Sequence, residues 1–169
     1  MLLVRLATAA DLPAIMALIR RVVPLMRASG NLQWSADYPN KAAFQADIEQ
    51  AQLWVAELDG AVAGVAALTM DQDEEYAQAN WNVAEPALVT HRLAVDPAAQ
   101  GQGVARALLE QAEKQALARG LRALRVDTNS KNAATQRLFP KLGYRFAGEI
   151  TLAFRPGLRF FCYEKQLDI

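Results

Sequence analysis

The segment Leu93-Ala94-Val95-Asp96-Pro97-Ala98-Ala99-Gln100-Gly101-Gln102-Gly103-Val104-Ala105 constrains this chain more than any other. It reads as the end of a strand, a glycine turn and the start of a helix. Such a junction presents unpaired backbone N–H groups at the positive end of a helix, which suits a phosphate or diphosphate. The glycines let a ligand come close to the backbone. Three phosphate motifs compete for it. A P-loop needs Gly-Lys-Ser/Thr, and this chain has Gly103-Val104-Ala105, so nucleotide hydrolysis is disfavoured. A Rossmann fingerprint needs Gly or Ala where Arg106 stands, together with a βαβ unit near the N-terminus. The third pattern, Gln/Arg-x-x-Gly-x-Gly/Ala, is matched in order by Gln100, Gly103 and Ala105 after a strand ending in Val-Asp-Pro.

The rest of the chain supplies a frame for that junction. Alternation predicts a strand over residues 2–6. Thr8 and Asp11 stand three apart like a capping box with Asp in place of Glu, or Asp11 caps by itself with Pro13 in the first turn. Leu12, Ile15, Ile19, Val22 and Met26 follow helical spacing, and Pro24 is expected to kink or end that helix. Residues 30–40 read as a loop carrying Trp34 and Tyr38. A short helix is expected over 41–49, with Phe44 and Ile48 inward. Strands 53–58 and 61–70 form a hairpin across Asp59-Gly60. Residues 71–86 form a polar, acidic loop, 87–95 a strand, and 104–119 a helix stopped by Gly120. A strand over 121–127, a helix over 130–142 broken late by Pro140, and strands 144–152 and 159–167 complete the pattern. Helices and hairpins intermix, so a mixed sheet flanked by helices is expected, as one domain over residues 1–169.

Composition removes several functions. Hydrophobic residues at 53% against 21% charged fit a folded core rather than a disordered chain. Lys+Arg and Asp+Glu are equal at 18 each, so no global field recruits nucleic acid or an anionic membrane. One cysteine, Cys162, and one histidine, His91, rule out an internal disulfide and a multi-His or Cys-rich metal site. No signal-peptide core or membrane-length apolar run is visible. A soluble cytoplasmic protein is the expectation.

With the second segment Asn132-Ala133-Ala134-Thr135-Gln136-Arg137-Leu138-Phe139-Pro140-Lys141-Leu142-Gly143-Tyr144, the chain resembles the GCN5-related N-acetyltransferase (GNAT) superfamily. That segment is similar to the family's second signature, roughly Asn-(x)6-Tyr-x-Lys-x-Gly-Phe. The distance between the signatures and the order of elements also resemble the family over nearly the full chain. The resemblance implies an α/β (α+β) fold: a central mixed, mostly antiparallel sheet of about seven strands flanked by about four helices. It implies a parallel strand pair that splays to form an acetyl-CoA cleft. The implied donor site is backbone around Leu93, Ala94 and Val95 for pantetheine and the N–H groups of Gln100, Gly101, Gln102, Gly103, Val104 and Ala105 for the diphosphate. Asn132 would bond the pantetheine arm, and Phe139 would lie beside the thiol.

The implied activity is acetyl transfer to a primary amine of a small molecule, by direct attack in a ternary complex. The amine must lose a proton before it can attack. A backbone N–H near Leu93 could serve the developing oxyanion. The family often protonates the leaving thiolate with a Tyr where this chain has Phe139; Tyr144, Tyr163 or solvent is left for that role. His91 stands two before Leu93 and is expected to share its face, as a base or substrate-binding residue, or else as a structural histidine. Arg92 is expected to face away. Trp34 and Tyr38 either anchor the core or wall the amine pocket. The Asp71–Glu75 run is expected to be a solvated loop, with attraction of a cationic amine as the alternative. Cys162 is expected to be buried and inert. A non-catalytic acyl-CoA-binding protein of the same fold is the competing reading. Many relatives being dimers, a homodimer is among the implied assemblies.

Overall fold

A computed structural model describes residues 1–84 and 86–168. Eleven regular elements follow one another: β1 (Leu2–Leu6), α1 (Leu12–Ala28), α2 (Lys41–Glu49), β2 (Leu53–Leu58), β3 (Ala61–Thr69), β4 (Leu88–Val95), α3 (Val104–Ala118), β5 (Ala123–Asn129), α4 (Ala133–Lys141), β6 (Arg145–Ile150) and β7 (Phe160–Gln166). The strands form one sheet in the order β1-β2-β3-β4-β5-β7-β6. Every neighbouring pair is antiparallel except β4 and β5. A seven-stranded mixed sheet carrying four helices is therefore the observed architecture.

Both faces of the sheet are covered, and β3 shows why its sequence is almost continuously apolar. Val65 and Ala67 pack with Ile15, Leu18 and Ile19 of α1 and Phe44 of α2. Ala66 and Leu68 pack with Leu108, Ala112 and Ala116 of α3. Gly64 brings α3 close: a Cβ there would lie 2.5 Å from Val104 Cγ1 and 3.1 Å from Leu108 Cδ1. The small residue thus fixes how deeply the first turn of α3 sits on the sheet.

The ends of the elements follow local chemistry. Asp59 and Gly60 turn the β2–β3 hairpin with φ of 52° and 87°, the two left-handed positions a tight hairpin needs. Leu121 N–H reaches Ala116 O and Gly120 N–H reaches Leu117 O, closing the C-terminus of α3 as its glycine suggests. Two prolines do not end their helices. Pro24 does not end α1, which runs on to Ala28. Pro24 is exposed, so water can solvate the carbonyl that loses its partner, while buried Val23 holds the helix on the sheet. Pro140 likewise lies within α4, which begins only at Ala133 because β5 extends to Asn129 and Asn132 caps the helix.

The capping-box alternative is the one realised near the N-terminus. Thr8 N–H donates to Asp11 Oδ2 at 2.7 Å, and Arg5 donates to both Asp11 oxygens at 2.8 and 2.9 Å. The Arg5 hydrogen bonds, aided by Thr8, outweigh burial and pull the Asp11 carboxyl down to about 2. A carboxyl whose folded pKa is depressed stabilises fully above its unfolded value and loses that contribution as pH falls through about 2. Asp11→Asn should therefore cost about 1–2 kcal/mol at pH 7, shrinking toward zero below pH 2, by urea denaturation. An equal loss at both pH values would assign the effect elsewhere.

Candidate active site

The site arises where the parallel pair comes apart. β4 and β5 are paired only at Leu88↔Leu124, Val89↔Arg125 and Thr90↔Val126. Beyond them β4 stays with β3, and Asp127, Thr128 and Asn129 stay with β7. A cavity of about 480 Å³ opens beside this gap. Its wall includes Thr90 to Leu93 from β4, Val126 to Thr128 from β5, and Asn132, Thr135 and Phe139 from α4 and its cap. Thr128 Oγ1 and Thr135 Oγ1, 2.6 Å apart, tie β5 to α4.

A bulge in β4 changes which side chains meet there. Val65 pairs with Ala94 and Ala67 with His91, so two residues, Arg92 and Leu93, oppose Ala66 alone. Arg92 takes φ 52°. The strict alternation expected of this strand is interrupted, so His91 keeps phase with Ala94 rather than with Leu93. Arg92 does not face away: it lines the cavity, and Nε and Nη2 each donate to an Asp47 oxygen at 2.7 Å. Burial opposes the Arg92 charge, but the Asp47 bonds outweigh it and raise its pKa. Arg92 Nη1 also donates to the Tyr38 hydroxyl at 3.3 Å.

His91 lines the cavity with Nε2 2.8 Å from the carbonyl oxygen of Asp71. A carbonyl can only accept, so Nε2 carries the hydrogen and Nδ1 of the neutral ring carries the lone pair. Trp34 and Tyr38 are both core neighbours and cavity-lining residues. Trp34 is buried in the core beside α1 and α2, and both rings reach the cavity. Arg155 ties three of the lining residues together: its Nε donates to Gln33 O at 2.6 Å, and its guanidinium lies 5.4 Å over Tyr38 and 5.2 Å over Phe154.

The acidic stretch is more than a solvated loop. Asp71 and Asp73 line the cavity, and a 3₁₀ turn at Glu74–Gln78 buries Tyr76 completely. Tyr76 Oη donates to Asp127 Oδ2 at 2.5 Å. Burial raises the Asp127 pKa, the Tyr76 hydrogen bond and His91 lower it, Asp73 adds to the rise, and the net direction is upward. Burial and the Asp127 charge also raise Tyr76, so the phenol keeps its proton. Asp127 and Tyr76 escaped the sequence reading. The available signal for Asp127 was an acidic residue ending an apolar strand, since ligands of open sheets gather at the carboxyl ends of strands.

Tyr144 and Tyr163 lie behind the cavity wall. Both are buried in the core against Phe139, at 5.7 and 5.2 Å between ring centroids, and neither lines the cavity. Burial raises the pKa of each. The expectation for Tyr144 is corrected accordingly: Phe139 occupies the wall and screens it. Asn132 Oδ1 accepts from Thr135 N–H at 3.2 Å, so the side-chain NH2 is what it offers the cavity. Cys162 is fully buried and its thiol pKa is pushed up, chiefly by burial.

The glycine turn lies past the end of β4, outside the cavity wall. Gln100, Gly101, Gln102 and Gly103 are exposed, Ala105 is half-buried and Val104 is buried. Gly103 caps α3 at φ 82° with no side chain to accept from the first-turn N–H groups. A Cβ at Gly101 or Gly103 would meet nothing within 4 Å. Uncapped donors beside open space fit a diphosphate, and the unpaired stretch of β4 fits an extended arm. Among the described residues, no group of three or more His, Cys, Asp or Glu is placed to hold a metal, and no helix is long and apolar enough to cross a membrane.

The acetyltransferase (GNAT) family model matches residues 18–144, and the chain belongs to that family. Among solved structures, an acetyltransferase of the GNAT family from Streptococcus agalactiae 2603 is 30% identical, with a TM-score of 0.81 over 99% of this chain and 96% of its own. The yncA structure from Salmonella typhimurium, solved with its cofactor acetyl-CoA, is 23% identical with a TM-score of 0.72, over 100% and 95%. The ribosomal-protein-S18-alanine N-acetyltransferase of Escherichia coli is 20% identical with a TM-score of 0.71, over 100% and 96%. The two more distant structures share the fold. No curated protein matches significantly. The protein thus belongs to the acetyltransferase (GNAT) family by both its sequence and its fold.

Proposed function

We propose that the protein acetylates the primary amine of a small cationic molecule by direct attack in a ternary complex. The observation that carries this reading is the cavity beside the strand gap, lined by Asp71, Asp73 and Asp127, while Arg92 is paired with Asp47. Such a wall favours an ammonium over an anion. The Arg155 contacts to Gln33, Tyr38 and Phe154 fix that part of the wall, which favours a small molecule over a protein terminus.

The first-turn N–H groups of α3 and the backbone of residues 100–105 would hold the diphosphate. Leu93, Ala94 and Val95 would hold the pantetheine arm through backbone groups, with the Asn132 amide donating to it and Phe139 beside the sulfur. Bound there, acetyl-CoA supplies an acetyl group activated as a thioester. The Leu93 N–H would donate to the carbonyl oxygen as negative charge builds on it. His91 would accept an N–H of the amine at Nδ1, its ring held by Asp71. Thiol release from acetyl-CoA tests the reading with spermidine, 2-phenylethylamine, free amino acids and an alanyl peptide. Turnover of a small cationic amine ahead of the peptide is expected, and no turnover with any of them would contradict it. His91→Ala should lower kcat/KM by about 10–100-fold while CoA affinity by calorimetry stays within about twofold.

Phe139 favours one competing reading, an acyl-CoA-binding protein without catalysis, because neither neighbouring tyrosine reaches the cavity. Phe139→Tyr separates the two. An enzyme short of an acid gains rate, whereas a pure binder stays inactive. Thiolate is a tolerable leaving group, a thiol having a pKa of about 8.5, so turnover does not require that acid.

A further inference from the structure

We propose that Asp127 is the carboxylate that takes the proton from the amine substrate, and that Tyr76 is the residue that positions it. The inference rests on the amine-acetyltransferase reading and adds the identity of the base. Asp127 directly follows Val126, the last β5 residue paired with β4, so it is the first β5 residue in the gap. It lines the cavity that also holds His91 and Leu93.

Its surroundings are built around it. Tyr76 Oη occupies Oδ2, which leaves Oδ1 with its accepting capacity. Tyr76 is itself clamped: the Trp81 ring lies 5.5 Å away, and Trp81 Nε1 donates to Tyr76 O at 2.7 Å. The segment that carries both is fastened to the sheet. Asn80 N–H reaches Ala147 O, and the N–H groups of Asn82 and Val83 reach Glu164. A long stretch without strand or α-helix thus delivers one buried hydroxyl to one carboxylate.

The titratable and charged groups around Asp127 are Tyr76 and Asp73 from the 3₁₀ turn and its approach, His91 from β4, Cys162 opposite it on β7, and Arg125 two residues before it. Among the described residues no Lys or Arg makes an ion pair with Asp127. A cationic partner is what the arrangement lacks, and an incoming ammonium supplies one. Burial raises the Asp127 pKa and Asp73 adds to the rise, which brings it nearer the working pH than an exposed carboxylate. His91 has a positioning role in this reading: the Asp71 carbonyl holds its Nε2–H, and Nδ1 accepts from the amine nitrogen while Asp127 takes the proton.

The step balances simply. One N–H of the ammonium breaks, its proton passes to Asp127, and the nitrogen keeps the electron pair. The C–N bond then forms as the C–S bond breaks, and the second amine proton ends on the sulfur as thiol. Asp127 returns its proton to solvent.

The test uses the full-length protein, acetyl-CoA, and spermidine and 2-phenylethylamine as amine probes. Asp127→Asn should lower turnover about 10²–10⁴-fold with CoA affinity unchanged by calorimetry. Tyr76→Phe removes a hydrogen bond that favours the charged carboxylate, so the acidic limb of the pH–rate profile should move up by about one pH unit. A merely structural Tyr76 would lower stability and leave the limb in place. Carbon-detected NMR of the Asp127 carboxyl in the wild type and in Tyr76→Phe gives a readout independent of turnover and of whether Asp127→Asn folds. Titration above the ordinary aspartate value of about 3.9, higher again in Tyr76→Phe, supports the assignment. Near-wild-type turnover in Asp127→Asn, or ordinary titration in both proteins, overturns it. Loss of CoA binding and turnover in the wild type would instead defeat the acetyltransferase reading itself.

Discussion

Gly103→Asp should weaken CoA binding by at least about 100-fold while leaving the melting temperature within a few degrees of wild type. The two effects separate because of where Gly103 sits. It has φ 82°, caps α3 without a side chain, and has open space where a Cβ would go. Aspartate tolerates the left-handed region better than most residues, and a carboxylate at a helix N-terminus is favourable to the helix. The fold therefore has little to lose. The same carboxylate would stand where a diphosphate is to be held, accept from the first-turn N–H groups, and repel the anion. Loss of two charge-assisted hydrogen bonds, worth about 1.5–3 kcal/mol each, corresponds to about 10²-fold or more in affinity. Calorimetry with CoA beside thermal unfolding checks this. Unchanged affinity would remove the α3 N-terminus from the donor site. Collapse of the fold would show that the glycine serves the chain rather than a ligand.

Asp47→Ala should cost about 3–5 kcal/mol, the largest stability loss expected of any single change near the cavity. Asp47 is 3% exposed and receives both Arg92 bonds as well as one from Gln52 Nε2 at 3.0 Å. Removing it strands the Arg92 guanidinium in a largely buried wall. If that is the cause, replacing the arginine too must relieve it. Asp47→Ala/Arg92→Met should recover a large part of the loss in urea denaturation, since an apolar pair of similar volume often replaces a buried ion pair at little cost. The same variants should raise the amine KM more than the CoA dissociation constant, because Arg92 and Tyr38 line the cavity proposed to receive the amine. Equal destabilisation of the single and double variants would place the loss in α2 rather than in an unpaired charge.

The parts of the molecule legible in the sequence are those set by local chemistry. The Asp59-Gly60 hairpin, the Gly120 stop of α3 and the apolar spacing of α1 each need only neighbours in the chain, and each formed as expected. The glycine turn was legible for the same reason, since Gly103 both permits its own backbone angle and leaves the next amides bare. Pro24 and Pro140 show the limit of local rules. A proline in an exposed helical turn loses one hydrogen bond, and packing of the opposite face decides whether the helix continues.

The cavity wall was legible only in part because its geometry is non-local. A bulge opposite Ala66 re-aims His91, Arg92 and Leu93, and nothing in Thr90-His91-Arg92-Leu93 announces it. Tyr76 and Asp127 are 51 positions apart, and one lies in a polar stretch that composition alone assigns to solvent. Tyr144 followed the signature in order, but α4 turns Phe139 to the wall and leaves the tyrosine behind it. Sequence order named the segments; the packing of α4 and of the 71–83 segment on β5 chose the side chains.

The most direct measurement is a crystal structure of the protein grown with acetyl-CoA. The diphosphate should lie on the amides of residues 101–105, the pantetheine arm should run between β4 and β5 past Leu93 and Val95, and the thioester should meet the cavity beside Phe139, His91 and Asp127. Acetyl-CoA bound elsewhere on the molecule, with the first turn of α3 and the strand gap left untouched, would contradict the account.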